Sequence, residues 1–367
     1  HLPQGTKFLG VMKADAYGHG AVPVSRALAD LGAEYLAVSN LEEAVQIRRG
    51  EVRLPILILG YTPAEYAANM IFLDITQEVH SLEYARELNE ALAGTNYILN
   101  VHLKLDTGMT RIGFFAYDNE RTLDELRQVA QLPHLHIEGV FMHFCVADSR
   151  AEADVSFTKL QYKRFMDMLS AMAGVGIRPE IRHCCNSGAT ILYPEFALDM
   201  VRPGIITYGN APSDELEGAL SLRPMMSLHS MIAQVRTVPA GTDISYGRLY
   251  RTKEETRVAV LPIGYADGLS RLLTGKASFY LQGHQVPVIG RICMDMCMID
   301  VSGVPEAKPG DVVTIFGYDD DGTLLPCERL ARAQGTINYE LLCQISKRIP
   351  RICHRGAETS QILQSIV

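Results

Sequence analysis

The chain has 367 residues, with 34 Lys and Arg against 42 Asp and Glu, a formal net charge of −8, and 47% hydrophobic residues. This is a globular composition, long enough for one large domain plus a smaller one, and its scattered cations form no basic stripe for nucleic acid or an anionic membrane surface. No run of about 18 apolar residues is present to span a bilayer, and His1-Leu2-Pro3-Gln4-Gly5 lacks the charged-then-apolar pattern of a secretory signal, so the chain reads as cytoplasmic.

Short apolar, β-rich runs predict strands at 8–14, 35–39, 55–60, 71–75, 101–106, 137–143, 181–185 and 199–205. Between several of them the apolar residues recur every three or four positions, predicting helices at 21–31, 41–49, 82–92 and 157–173. Strand and helix alternating in this way is the pattern of an α/β protein built as a (β/α)8 TIM-type barrel, with a doubly wound open sheet as the alternative. After about residue 218 the texture changes to alternating strands at 230–238, 257–261, 278–281, 286–289, 296–301 and 312–316, punctuated by Gly, Pro and Asp and followed by helical segments at 326–333 and 338–347. The expected organisation is a barrel over 1–217 and a mostly β domain over 218–367, with no low-complexity linker between them. The eight cysteines show no Cys-x2-Cys metal spacing and are read as reduced core thiols, against the alternative of a disulfide framework.

In such a barrel the polar residues at the strand C-termini form the site. Here they are Lys13 with Asp15, Tyr17 and His19 after the first strand; Lys104, Asp106 and Arg111 at the fifth; His143 at the sixth; Asn186-Ser187-Gly188 at the seventh; and Arg202-Pro203-Gly204-Ile205 at the eighth. A lysine inside an apolar run loses pKa on burial and becomes the nucleophilic amine that Schiff-base chemistry requires, while its bland reading is a strand-end lysine snorkelling to water. The amides around Ser187-Gly188 and Gly204-Ile205 can meet a phosphate, or can be ordinary turns.

The ten residues Val11-Met12-Lys13-Ala14-Asp15-Ala16-Tyr17-Gly18-His19-Gly20 closely resemble the pyridoxal-phosphate lysine motif of bacterial alanine racemases. The resemblance continues at Lys104-Leu105-Asp106-Thr107-Gly108-Met109-Thr110-Arg111-Ile112-Gly113, Asn186-Ser187, Met200-Val201-Arg202-Pro203-Gly204-Ile205, Ser245-Tyr246-Gly247, Ile263-Gly264-Tyr265-Ala266-Asp267-Gly268, Gly290-Arg291-Ile292-Cys293-Met294-Asp295 and Gly335-Thr336-Ile337-Asn338-Tyr339-Glu340. It spans essentially the whole chain.

The resemblance implies interconversion of L- and D-alanine with pyridoxal 5'-phosphate, in a cytoplasmic enzyme supplying D-alanine for peptidoglycan. It makes Lys13 the residue that holds the cofactor covalently and one of two acid/bases. Tyr246 is the other, brought to the opposite face by the partner of a head-to-tail homodimer, with a hydrogen-bonded chain running from it through His143 to Arg202. Arg202 faces the pyridine nitrogen, where a fixed cation disfavours ring protonation. Arg111 meets the cofactor's phenolic oxygen and the substrate carboxylate, and Lys104 matches a lysine that many members carry N-carboxylated, the alternative being an unmodified lysine near Asp106. Tyr17, Asn186, Ser187, Gly204, Ile205 and Tyr339 are assigned to the cofactor, Met294 and Tyr265 to the substrate and its corridor, and no residue to a metal.

Family members usually carry a strand and helix before the lysine strand, and this sequence starts without them. The racemase part of a membrane-bound serine racemase, or a broad-specificity racemase, is therefore the alternative reading. A pyridoxal-phosphate carrier shares the barrel but has neither a C-terminal β domain nor the Ser245-Tyr246-Gly247 tyrosine. Asn210 stands where an apolar residue is expected.

Overall fold

The computed structural model describes residues 2–117, 119–356 and 358–363. The chain forms two compact units, one of residues up to 16 with 21–223, the other of residues 17–20 with those from 224 onward.

The first unit is a ring of parallel strands: β1 (Lys7–Val11), β2 (Tyr35–Val38), β3 (Ile56–Ile58), β4 (Ile75–Val79), β5 (Leu99–Asp106), β6 (Leu135–Phe141), β7 (Ile181–His183) and β8 (Met200–Val201). Their order is β7-β6-β5-β4-β3-β2-β1-β8. The ends of this path are joined by the Asp199 N–H to Arg182 O at 3.0 Å and the Arg202 N–H to Cys185 O at 2.9 Å, so the sheet is a nearly closed eight-stranded barrel. The strands are short and buried on both faces, as parallel strands under helices must be: Leu9, Leu36, Val38, Ile56, Ile58, Val79, Leu103 and Val140 are all fully enclosed. Helices Leu41–Arg49 and Leu82–Ala91 start where the sequence supplies a cap, with Asn40 Oδ1 accepting the Glu43 N–H at 3.0 Å and Ser81 Oγ the Tyr84 N–H at 3.1 Å.

Two of the barrel strands differ from expectation for identifiable reasons. The run at 71–75 is not a strand: Ile71 and Phe72 end helix Ala67–Phe72, Asp74 turns at φ 51°, and β4 follows over Ile75–Val79. Thr76, Gln77 and Glu78 hid that strand in sequence, although all three are buried and Gln77 Nε2 donates to Gly60 O at 2.7 Å. The run at 199–205 shrinks to two residues because Pro203 has no N–H for the ladder and Gly204 leads into the short helix Ile205–Tyr208.

The second unit is an antiparallel sheet, with β9 (Leu228–Met231), β10 (Gln234–Val238), β11 (Thr256–Leu261), β12 (Ser278–Leu281), β13 (His284–Ile289), β14 (Cys297–Asp300) and β15 (Val312–Tyr318) in the order β9-β15-β12-β13-β14-β11-β10. The single strand expected at 230–238 is thus two. Helices Cys327–Gln334 and Asn338–Gln344 lie where the helical tail was expected. All eight cysteines are thiols; Cys184, Cys185, Cys297 and Cys327 are core residues, whereas Cys343 is exposed, which corrects the reading of a wholly buried set. Among the described residues, no helix is long and apolar enough to cross a membrane.

Candidate active site

Strand β1 ends at Val11, whose carbonyl accepts the buried Tyr208 hydroxyl at 2.5 Å. Directly after Lys13 the backbone makes a left-handed turn: Ala14, Asp15, Ala16 and Tyr17 all have φ between 53° and 55°. Left-handed helical geometry costs an L-residue roughly 1–2 kcal/mol, so four in succession persist only because the surroundings hold them. The holders are acidic. Glu43 Oε1 accepts the Ala14 N–H at 2.7 Å, and Asp15 Oδ1 accepts the Ala21 N–H at 2.7 Å and Gln46 Nε2 at 3.3 Å. Strain concentrated beside a lysine at a barrel strand's C-terminal end is the mark of a positioned functional side chain. Ala14→Gly, at an exposed position, is expected to raise stability by about 0.5–1 kcal/mol, the left-handed penalty less the added chain entropy, visible as a higher Tm in thermal unfolding.

Burial falls on a different amine from the one the sequence pointed to. Lys13 is half-buried, whereas Lys104 on β5 is 5% exposed, donating to Leu105 O at 3.0 Å. Burial, reinforced by Arg202 and Arg111 and opposed by Asp106 and Glu78, brings the Lys104 amine down to about 7. Arg202, just past β8, is 3% exposed and held at both terminal nitrogens: Nη1 donates to His183 Nδ1 at 2.9 Å, and the two Nη2 hydrogens are shared among Met142 O at 2.7 Å, Cys184 O at 3.2 Å and His143 Nδ1 at 3.3 Å. Burial lowers its pKa to about 10, which leaves it cationic at neutral pH. His143 is pushed well below the ordinary histidine value by burial and by the cations of Arg202, Lys104, Arg111 and Lys13, so it is a neutral imidazole. Its Nδ1 accepts from Arg202, so its proton is on Nε2. Arg111 is exposed and makes no side-chain hydrogen bond among the described residues.

Donors for an anion stand just after β7 and β8. Asn186 caps helix Ser187–Leu192 by accepting the Ala189 N–H at 3.0 Å. The buried Ser187 Oγ accepts the Gly204 N–H at 2.9 Å, which leaves its own hydrogen to donate. The Ile205 N–H opens the next short helix with no acceptor among the described residues. An amine, a hydroxyl, an unsatisfied amide and a fixed guanidinium are the donor set that a phosphorylated pyridine aldehyde requires, so these residues fit pyridoxal phosphate.

The second unit holds the remaining residues. Tyr17 is buried, which raises its pKa, and its ring lies 5.9 Å from that of Tyr339. Gly18, at φ 82°, has room for no side chain, since a Cβ would sit 2.4 Å from Leu342 O. Tyr246 and Tyr265, which are 69% and 43% exposed, line a concavity of about 430 Å³ with Arg271, Ile292 and Cys293; Met294 is 52% exposed. Sequence reading missed Glu138, His102 and His183, which extend the hydrogen bonding of Arg202 into the barrel. The available signal was three polar residues set inside runs expected to be buried strands.

The chain matches the family model described as alanine racemase, N-terminal domain, over residues 1–212 and the one described as alanine racemase, C-terminal domain, over 225–353. It is 47% identical to the alanine racemase of Desulfovibrio desulfuricans over 351 residues, covering 96% of this chain and 92% of that protein. The alanine racemase of Clostridium tetani is 43% identical, with 96% and 90% covered. Among solved structures, alanine racemase of Clostridium difficile 630 superposes with a TM-score of 0.93 at 39% identity, covering 100% of this chain and 93% of that one. Alanine racemase of Bacillus anthracis with bound L-Ala-P gives 0.92 at 34%, covering 99% and 92%. With both domains matched and identity this high over nearly the full length, the chain belongs to the alanine racemase family, whose members are pyridoxal-phosphate-dependent isomerases.

Proposed function

We propose that this chain racemises alanine with pyridoxal 5'-phosphate, using Lys13 and Tyr246 as acid/bases on opposite faces, as a cytoplasmic source of D-alanine for peptidoglycan. The observation that carries the reading is the cluster at the barrel's C-terminal rim, where Lys13 follows β1 and Arg202 is bonded to a neutral His143. Racemisation needs one group to take the α-proton from one face and another to return one to the other face, since a single base mainly gives back what it took. Bound in this site, pyridoxal phosphate supplies the electron sink that acidifies the α-hydrogen.

The chain's residues divide the remaining work. Lys13 holds the cofactor and moves a proton at its Nζ. Arg202 keeps a permanent positive charge toward the pyridine nitrogen. Because Arg202 fixes the proton of His143 on Nε2, that N–H is the donor that stabilises an anionic tyrosine oxygen, lowering the barrier for Tyr246, whose ordinary pKa near 10 makes it a poor base at neutral pH. Asn186, Ser187, Gly204 and Ile205, with Tyr17 and Tyr339, are assigned to the phosphate end. Arg111 and Met294 are assigned to the carboxylate, and Tyr265 to the entry path. Tyr246, Tyr265 and Met294 are assigned to the partner's site in a head-to-tail homodimer, a reading supported by their exposure. The barrel domain is assigned to 1–217 and the β domain to 218–367. A racemisation panel with both enantiomers of alanine and of serine tests the function; serine turnover equal to that of alanine overturns the substrate.

Lys104 is assigned as the N-carboxylated lysine that orients Arg111. The reaction joins the neutral amine to carbon dioxide, giving a carbamate and releasing one proton. With the amine near 7, protonation competes below that pH, so carboxylation is expected to rise as pH increases through about 7. Carbon-13 NMR of protein equilibrated with labelled bicarbonate reads the carbamate signal; a signal unchanged between pH 6 and pH 8, values chosen to bracket the amine, overturns the assignment.

Tyr339 sets substrate preference in this reading, because a bulky ring leaves room for a methyl but crowds a hydroxymethyl. Serine is expected to be about 10–200-fold less efficient than alanine, the discrimination that a pocket without a hydroxyl partner achieves. Tyr339→Asn is expected to narrow that ratio by raising kcat/KM for serine; an unchanged ratio directs attention to Asn210.

A further inference from the structure

A line of hydrogen bonds crosses the barrel interior to Arg202. Glu138 Oε2 on β6 accepts from the Tyr35 hydroxyl at 2.9 Å, from Thr76 Oγ1 at 3.1 Å and from His102 Nε2 at 3.2 Å. His102 Nδ1 is 2.9 Å from His183 Nε2, and His183 Nδ1 is 2.9 Å from Arg202 Nη1. Both imidazoles are fully buried. Their rings are set by packing: Gly139 is the only residue type that β6 accommodates there, because a Cβ would lie 2.5–2.6 Å from three His102 ring atoms. Phe141 stacks on His183 at 4.9 Å and 9°.

The two ends dictate the middle. A guanidinium only donates and an ionised carboxylate only accepts, so each intervening imidazole must accept on Nδ1 and donate from Nε2. A proton on His183 Nδ1 would place two donors face to face at 2.9 Å. We propose that Glu138, through His102 and His183, is a positioning residue that fixes this tautomer sequence and thereby the orientation of the Arg202 guanidinium, an inference that rests on the active-site role of Arg202 proposed above. The surroundings agree with neutral imidazoles and an ionised acid: burial and the Arg202 charge lower both histidines, in His102 against the upward pull of Glu138, while Glu138, which burial pushes up, is brought below the ordinary carboxylate value by His102, Tyr35 and Thr76. Arg202 has no ion pair among the described residues, so its orientation depends on neutral acceptors, of which the imidazoles of His183, at 2.9 Å, and His143, at 3.3 Å, are the ones whose direction can invert.

The test is nitrogen-15 histidine NMR of the protein with and without cofactor, together with alanine racemisation and the visible band of the loaded enzyme. The unsubstituted protein is expected to show His102 and His183 neutral with the proton on Nε2, and protonation of His183 Nδ1 overturns the proposal with no variant needed. Glu138→Gln keeps a carbonyl oxygen toward Tyr35, Thr76 and His102, and is expected to retain both tautomers, the band and near-full activity. His102→Phe keeps the ring but severs the line. It is expected to give His183 mixed tautomers, a shifted band and about a 10- to 100-fold fall in kcat/KM. Should that variant not fold, Glu138→Leu severs the line at its end and has the same expected readout. A His102→Phe protein with an unchanged His183 tautomer, or a changed tautomer with unchanged band and rate, overturns the positioning role, as does a Glu138→Gln loss as large as that of His102→Phe. Absence of racemase activity in the unsubstituted enzyme is a failure of the function itself and leaves the imidazole spectra to be read.

Discussion

Lys13→Ala is expected to yield a folded protein that lacks the visible absorbance of covalently held cofactor and nearly all alanine racemisation. Two losses coincide in one atom. In the proposed reaction Nζ anchors the cofactor aldehyde and the same amine moves a proton on one face of the substrate; removing a proton-transfer partner alone costs on the order of 10²–10⁴-fold. The fold is expected to survive because Lys13 is half-buried, the left-handed turn that follows it is held by Glu43 and Asp15, and the end of β1 is held by the Tyr208 hydroxyl at Val11 O, none of which is touched. Circular dichroism and the absorbance spectrum after addition of pyridoxal phosphate separate the two effects. A Lys13→Ala protein that still forms a borohydride-reducible adduct at full stoichiometry sinks the assignment, and Lys104, the more buried amine, becomes the residue to examine.

The difference between those two lysines shows where sequence reading ends. Alternation of apolar runs and amphipathic stretches placed most of the barrel strands and matched helix Leu41–Arg49 to the residue, because strands covered on both faces read as apolar runs and helices at the rim show a 3.6-residue period. It failed at β4, where Thr76, Gln77 and Glu78 are buried by virtue of their hydrogen bonds and not their hydrophobicity. The burial argument itself was sound, but the structure applies it to Lys104, since Lys104 lies within β5 whereas Lys13 lies two residues past the end of β1. Glu138, His102 and His183 were missed for a related reason. Each is an unremarkable polar residue on its own strand, and only the register of β5 against β6 and β6 against β7, with His102 opposite Gly139 and Phe141 opposite His183, brings them into line with Arg202. The bond from Arg202 to His143, by contrast, was expected from family resemblance and is present at 3.3 Å.

Tyr246→Phe is expected to impair proton exchange from one enantiomer far more than from the other, because only one face of the substrate loses its base. The loss on that face is on the order of 10²–10⁴-fold. Solvent deuterium incorporation into D-alanine and L-alanine, measured separately, reads the asymmetry, and equal losses argue against two bases. The exposure of the Tyr246 side chain in its own unit fits a group that works in a neighbouring copy, and this has its own signature. A hybrid of Tyr246→Phe with Lys13→Ala subunits contains one site that has lost both groups and one that has lost neither. Mixing the two inactive proteins and allowing subunits to exchange is therefore expected to restore activity, up to half that of the intact sites in each hybrid dimer. If each site were built from one chain, every site in the mixture would lack one group and none would recover, so an exchanged mixture that stays inactive places Tyr246 in the same chain as its Lys13.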